Sequence, residues 1–144
     1  MSAFEPDYDA IVVGAGPAGS SAALELARAG KSVLLVDRGD FAGSKNMTGG
    51  RIYAHCLHEL FPDTFDEIPL ERRVTHERIS LLAPDACTTI DFSSAAMREE
   101  GRESYTVLRV PFDQWMAQQA EEAGADVACG ITVTALLKDE DGSA

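Results

Sequence analysis

The sequence predicts an α/β fold, and three observations carry that prediction. Tyr8 to Val13 (YDAIVV) is a short apolar run rich in β-branched residues, which reads as a buried strand. Ala18 to Ala29 has the spacing of a helix, with Ala22, Leu26 and Ala29 on one face and Ala23 and Ala27 on its shoulder. Ser32 to Asp37 (SVLLVD) is a second buried strand. In that order they form a βαβ unit, whose parallel strands are expected to be joined by a right-handed crossover.

The elements follow in sequence. Gly14 to Gly19 is a glycine-rich turn between the first strand and the helix. Pro17 suits the helix's first turn and Gly30 its C-terminal stop. After Asp37 the alternation breaks: Arg38 to Arg51 (RGDFAGSKNMTGGR) reads as a glycine-punctuated loop. A short helix is expected over Tyr53 to Leu60, ended by Phe61-Pro62. A hairpin follows, with strands Glu77 to Ala83 and Cys87 to Phe92 around a turn at Pro84-Asp85. The charged stretch Arg98 to Glu103 is expected to be an exposed turn before a strand from Tyr105 to Arg109. Phe112, Trp115, Met116, Ala120 and Ala123 share a helical stripe that Gly124 ends. Asp126 to Cys129 and Ile131 to Leu137 are expected strands, the second running into the turn Asp139 to Gly142. That last strand reaches its turn without a partner and leaves an unpaired edge, so the chain is expected to be the N-terminal part of a longer protein.

Composition narrows the function classes. The 144 residues suffice for one domain, and 45% apolar with 25% charged residues excludes a disordered tail. The longest uncharged stretch, Ala10 to Leu24, contains glycines and a proline and is shorter than the ~20 apolar residues of a membrane span. The N-terminus lacks the basic residues of a secretory signal. With 24 acidic against 12 basic residues the net charge is −12, which argues against a nucleic-acid partner and against attachment to an anionic membrane by charge alone. Cys56, Cys87 and Cys129 are odd in number and spaced far apart, so neither a disulfide framework nor a CxxC metal site is suggested, and a reducing, cytoplasmic setting fits best. His55, Cys56 and His58 (HCxH) lack a second ligand pair, so no metal site is assigned.

The glycine turn is the chemically specific feature. Gly14-Ala15-Gly16-Pro17-Ala18-Gly19 is GxGxxG set directly between strand and helix. Gly14 permits the tight turn, Gly16 lets backbone approach a pyrophosphate, and Gly19 permits close helix–strand contact. The helix N-terminus then offers N–H groups and a positive dipole end to the anion. Asp37, at the end of the second strand, stands where a carboxylate accepts hydrogen bonds from ribose hydroxyls, which disfavours a 2′-phosphate and leaves NAD or FAD.

The interrupted layout after Asp37 resembles the glutathione-reductase type of FAD domain, in which an antiparallel substrate region is inserted after the second strand. On that reading residues 1–50 and 105–144 form the Rossmann-like FAD-binding domain, incomplete at the C-terminus, and 51–104 begin the inserted substrate or cap region. Three stretches narrow the resemblance: GSKNMTGGRIYAH (Gly43 to His55), SYTVLRVPFDQWMAQQAEEAGADV (Ser104 to Val127) and GITVTALL. With them the chain resembles electron-transfer flavoprotein–quinone oxidoreductases of the Fix type, within the wider geranylgeranyl-reductase-like flavoproteins.

The resemblance implies FAD as cofactor and a set of roles. Arg109 would reach FAD near its ribityl–phosphate portion, a contact that suits a guanidinium fork. Val133 would lend its backbone to the adenine, and Arg38 would border the adenosine or remain solvated. Lys45, Asn46, Met47, Gly49 and Gly50 would pass beside the isoalloxazine, where glycines allow close approach, Asn46 can donate and accept, and Lys45 could offset negative charge on reduced flavin. No nucleophile–base–acid constellation emerges, as expected when the cofactor carries the chemistry. The implied partners are an electron-transfer flavoprotein, quinone and a ferredoxin-like protein, with peripheral contact at the inner face of a membrane. The alternatives are a reductase of isoprenoid double bonds, a flavin monooxygenase, and a non-catalytic nucleotide-binding fragment.

Overall fold

The computed structural model describes residues 7–138. Its elements are β1 (Ala10–Val13), α1 (Pro17–Arg28), β2 (Val33–Asp37), β3 (Gly49–Tyr53), α2 (His55–Leu60), β4 (Glu77–Leu82), β5 (Cys87–Phe92), β6 (Ser104–Leu108), α3 (Arg109–Glu122) and β7 (Asp126–Cys129). The chain divides into two compact units, one comprising Met1–Met47 and Arg109–Ala144, the other Thr48–Leu108.

The first unit is a parallel sheet in the order β1-β2-β7, with α1 packed against β1, β2 and α3. β1 pairs with β2 from Ala10↔Val33 to Val13↔Val36, and β2 pairs with β7 from Leu34↔Asp126 to Asp37↔Cys129. The central strand β2 is buried at Val33, Leu35, Val36 and Asp37. β1, expected to be buried throughout, instead alternates: Ile11 and Val13 are each 62% exposed, whereas Val12 turns toward α1. The reason is position, since β1 is an edge strand with its side chains divided between the two faces.

Packing sets the buried faces of the helices. In α1 the buried side chains are Ser20, Ala23, Leu24 and Ala27, not the Ala22–Leu26–Ala29 face. An alanine-rich helix offers little contrast between its faces, so its rotation is set by what it packs against. α3 begins at Arg109, which was expected to end a strand, and buries Phe112, Asp113, Met116, Ala117 and Ala120. Pro111 sits in its first turn, where the lacking N–H breaks no helical bond. Ile131 to Leu137 is not a strand: it is exposed and no β pairing is formed by it among the described residues. Alternating apolar residues make a strand only when another strand accepts the ladder. The expected turn at Asp139 to Gly142 lies outside the described residues.

The second unit contains two antiparallel pairs, β3 with β6 and β4 with β5. The β4–β5 hairpin closes at Pro84-Asp85 as its turn residues predict. β3 falls within what reads as a glycine-punctuated loop and takes Tyr53 from the expected helix, so α2 starts at His55. Gly49 suits this strand because a Cβ there would stand 2.4 Å from the Val107 carbonyl oxygen. Glu103, expected in an exposed charged turn, is only 3% exposed, and its Oε1 lies 2.8 Å from His58 Nε2. Burial pushes its carboxyl pKa up, yet the His58 hydrogen bond, the Glu103 backbone N–H and nearby positive charge together hold it below the usual range.

One contact sets how closely α1 approaches β1. A Cβ on Gly19 would stand 1.9 Å from the Gly14 carbonyl oxygen and 3.4 Å from Val12 Cγ1. Gly19→Ala is therefore expected to destabilise the protein by on the order of 2–4 kcal/mol. Gly50→Ala, where a Cβ meets open space, is expected to change stability by no more than about 1 kcal/mol. Urea-denaturation midpoints of the two variants check this, and an unchanged midpoint for Gly19→Ala would contradict it.

Candidate functional site: the crevice at the end of the parallel strands

The glycine turn is shaped for an anion. Gly14 has φ +106°, a conformation that disfavours any side chain, and its N–H donates to the Val36 carbonyl (2.7 Å), tying the turn to β2. Gly16 is the N-cap of α1 and supplies no side-chain cap, and Pro17 opens the helix. The first-turn amides of Ala18 and Gly19 thus remain at the positive end of the helix dipole. A Cβ on Gly16 would meet nothing closer than Arg109 Nη2, at 3.9 Å. Gly16 is therefore not required by packing, and its missing side chain leaves room on the ligand side of the turn.

Asp37 ends β2, buried to 7% exposure. Its Oδ2 accepts from the Ala15 N–H (2.9 Å), and its Oδ1 accepts from the Gly39 N–H (2.7 Å) and from Lys45 Nζ (2.5 Å). Burial, the largest single influence, pushes this carboxyl up. The hydrogen bonds from Lys45, Gly39 and Ala15, with the Lys45 charge, outweigh it and hold the group below its ordinary value. The same charge acts on Cys129, Asp37's neighbour across the β2–β7 ladder: burial and then Asp37 push that thiol up, away from the reactive thiolate form. With about four acceptor sites on a carboxylate, these three donors leave Asp37 room for one further hydrogen bond, the number a ribose hydroxyl needs.

A cavity of about 240 Å³ opens beside this carboxylate, lined by Val13, Gly14, Val36, Asp37, Arg38, Lys45, Ile131, Thr132 and Val133. Arg38 is exposed at its rim, and Val133 is 47% exposed. Two backbone bonds carry the 131–133 segment across the mouth: Gly130 N–H donates to Gly39 (2.7 Å) and Ile131 N–H to Asp37 (3.0 Å). Val133 thus lines the crevice although its segment is no strand. Lys45, which the resemblance implies passes beside the isoalloxazine, is bonded to Asp37 Oδ1 at the edge of this cavity.

A second buried carboxylate lies on α3. Asp113 is 0% exposed. It accepts from Arg109 Nε and Nη2, both at 2.9 Å, and from Asn46 Nδ2 at 2.5 Å. The Asp113 hydrogen bond, and then its charge, raise the pKa of Arg109 against the opposing effect of burial, so the guanidinium stays charged. Sequence reasoning missed Asp113. Its signal was the four-residue step from Arg109 within RVPFD, which puts both side chains on one helix face. Of the other expected residues, Met47 is 96% exposed, and Gly49 and Gly50 belong to β3 in the second unit, paired with Leu108 and Val107.

Comparison with known proteins identifies the ligand class. A family model described as FAD binding domain matches residues 7–144. The chain belongs to this FAD-binding domain family. Its curated relatives include the protein FixC of Salmonella typhi, 49% identical over 134 residues, which are 93% of this chain and 31% of the relative. The Probable electron transfer flavoprotein-quinone oxidoreductase YdiS of Escherichia coli K12 is 51% identical over 132 residues, 92% of this chain and 31% of the relative. The chain thus spans about a third of the length of these relatives. Among solved structures, a geranylgeranyl bacteriochlorophyll reductase-like protein of Thermoplasma acidophilum superposes with a TM-score of 0.73 at 29% identity, over 92% of this chain and 32% of that one. The FAD-dependent chondrochloren halogenase of a myxobacterium shares the fold, with a TM-score of 0.68 at 24% identity over 87% of this chain and 29% of that one.

The residues present fit FAD: uncapped helix amides suit the diphosphate, Asp37 keeps one acceptor site for the ribose, and a side-chain-free face at Gly16 lets the diphosphate approach. Gly16→Ala is accordingly expected to leave the thermal midpoint of the apoprotein within about 2 °C while weakening FAD binding at least about tenfold. Differential scanning fluorimetry and a fluorescence titration with FAD measure the two effects.

The depressed Asp37 pKa has a signed consequence. Above the unfolded value, ~3.9, the folded state gains from the ionised carboxylate, and that gain is lost as pH falls through the lower folded value. Lys45→Met removes a hydrogen bond and a charge that lower it. The acid-unfolding midpoint, followed by circular dichroism, is expected to move to higher pH in that variant.

Proposed function

We propose that this protein is an FAD-dependent oxidoreductase that passes electrons from a reduced electron-transfer flavoprotein toward quinone. The observation that carries the reading is the 51% identity, over 92% of this chain, to a relative named for that reaction. The crevice supports its first requirement, a seat for the adenine dinucleotide.

Bound FAD supplies the redox chemistry; the chain supplies binding, orientation and charge. The turn Gly14–Gly16 and the first-turn residues Pro17, Ala18 and Gly19 hold the diphosphate. Asp37 takes a ribose hydroxyl, with Lys45 keeping its carboxylate ionised. Arg38 and the Val133 backbone border the adenine. Arg109 holds the ribityl–phosphate portion. Asn46 and Met47 are the groups of the first unit that face the isoalloxazine, and the near-complete exposure of Met47 suits a side chain awaiting a flat apolar partner. The described residues include no helix long and apolar enough to cross a membrane.

Reduction of the protein by a reduced electron-transfer flavoprotein, with turnover of a soluble quinone analogue, is the expected result; failure of both half-reactions in flavin-loaded protein would refute the assignment. The likeness to the geranylgeranyl-reductase-like structure favours one second reading, reduction of isoprenoid double bonds, which a saturated isoprenoid product would establish. Asn46→Ala is expected to shift the reduction potential of the bound flavin by about 20 mV, the equivalent of one hydrogen bond, and to lower stability by about 1–3 kcal/mol through loss of its bond to the buried Asp113. Spectroelectrochemical titration measures the shift.

A further inference from the structure

Asp113 is a wholly buried charge, and its partners are two residues of the proposed cofactor site. Arg109 meets it with the two-point fork that a carboxylate and a guanidinium form best. The fork uses Nε–H and one Nη2 hydrogen, leaving the Nη1 donors and the other Nη2 hydrogen free of Asp113. That same Nη2 lies 3.9 Å from the place of a Gly16 Cβ, so the guanidinium rests against the glycine turn. Asp113 also takes the Asn46 amide. The loop before Asn46 is pressed onto it: Gly43, at φ +84°, has room for only a hydrogen where a Cβ would stand 3.0 Å from Asp113 Cβ.

Stability alone is a weak reason for such a pair. Removing two charges from water costs about as much as their attraction returns, and apolar residues of similar volume often do better. What the fork supplies, and apolar packing cannot, is a guanidinium fixed in direction.

We propose that Asp113 is a positioning residue for FAD: it aims Arg109 at the diphosphate beside the glycine turn. The proposal rests on the reading that Arg109 contacts the cofactor. It makes the affinity for the diphosphate depend on a carboxylate that shares no contact with the glycine turn itself.

A double-mutant cycle on the full chain tests it, with apoprotein titrated with FAD and the diphosphate followed by 31P resonance. Arg109→Met is expected to weaken FAD binding by about tenfold to a hundredfold, and Asp113→Asn by about tenfold. Asp113→Asn should also move the 31P resonances of bound FAD in the direction that Arg109→Met moves them. The double variant Arg109→Met/Asp113→Asn should bind FAD no more weakly than Arg109→Met alone, because Asp113 acts through the arginine. Additive losses, or a lowered melting temperature with unmoved 31P resonances, would overturn the proposal and leave Asp113 a packing residue. Unchanged affinity in Arg109→Met would overturn it from the other side, by refuting the arginine contact itself. Should Asp113→Asn not fold, Arg109→Lys keeps the charge and loses the fork; a loss like that of Arg109→Met supports the proposal, and wild-type affinity overturns it.

Discussion

The first unit depends on a contact that only a hydrogen can make, where Gly19 in the first turns of α1 lies against the carbonyl of Gly14. That contact lets the helix begin within touching distance of the strand it leaves. It holds the Gly14–Gly16 turn at the helix axis and directs the free amides of the first turn into one small volume. Because Gly14 is also bonded to β2, the turn, the helix end and the tip of the neighbouring strand share one rigid frame. Asp37 is delivered by the same frame, since it ends β2 and binds back to the turn through Ala15.

Two buried carboxylates then organise the cations around that frame. The chain as a whole carries a net charge of −12, which should repel a dinucleotide at long range. Locally the charges are paired. Asp37 gathers Lys45 beside the crevice, and Asp113 gathers Arg109 beside the glycine turn, so each acid holds one positive group in place. Both anions are hydrogen-bonded at both oxygens, which is how a buried charge is tolerated. Screening by salt weakens the long-range repulsion more than these short contacts, so local geometry can dominate binding.

The parts of the molecule differed in how legible they were. The βαβ unit could be read because each piece has its own local signal: β-branched apolar runs, a glycine turn, a proline at the helix start and an acid at a strand end. The β4–β5 hairpin was read from its turn residues for the same reason. β3 was hidden because Gly49 and Gly50 look like loop residues, and only the Val107 carbonyl opposite explains them. Glu103 looked like a surface charge until His58, forty-five residues away in sequence, was found against it. The rotation of α1 could not be judged from a helix with small residues, alanine or serine, on every face.

By itself the sequence determined the class of fold and the class of ligand, because a GxGxxG between strand and helix with a following acid is a local pattern with a local mechanism. The tertiary structure decided which side chains stand together at the crevice and in the cluster behind the glycine turn. It brought Lys45 to Asp37, joined Asn46 and Arg109 through Asp113, and laid the non-strand segment of Val133 across the cavity. Apart from the four-residue step between Arg109 and Asp113 on one helix, those partnerships are set by long-range packing, which leaves no spacing in the chain from which the meeting could be read.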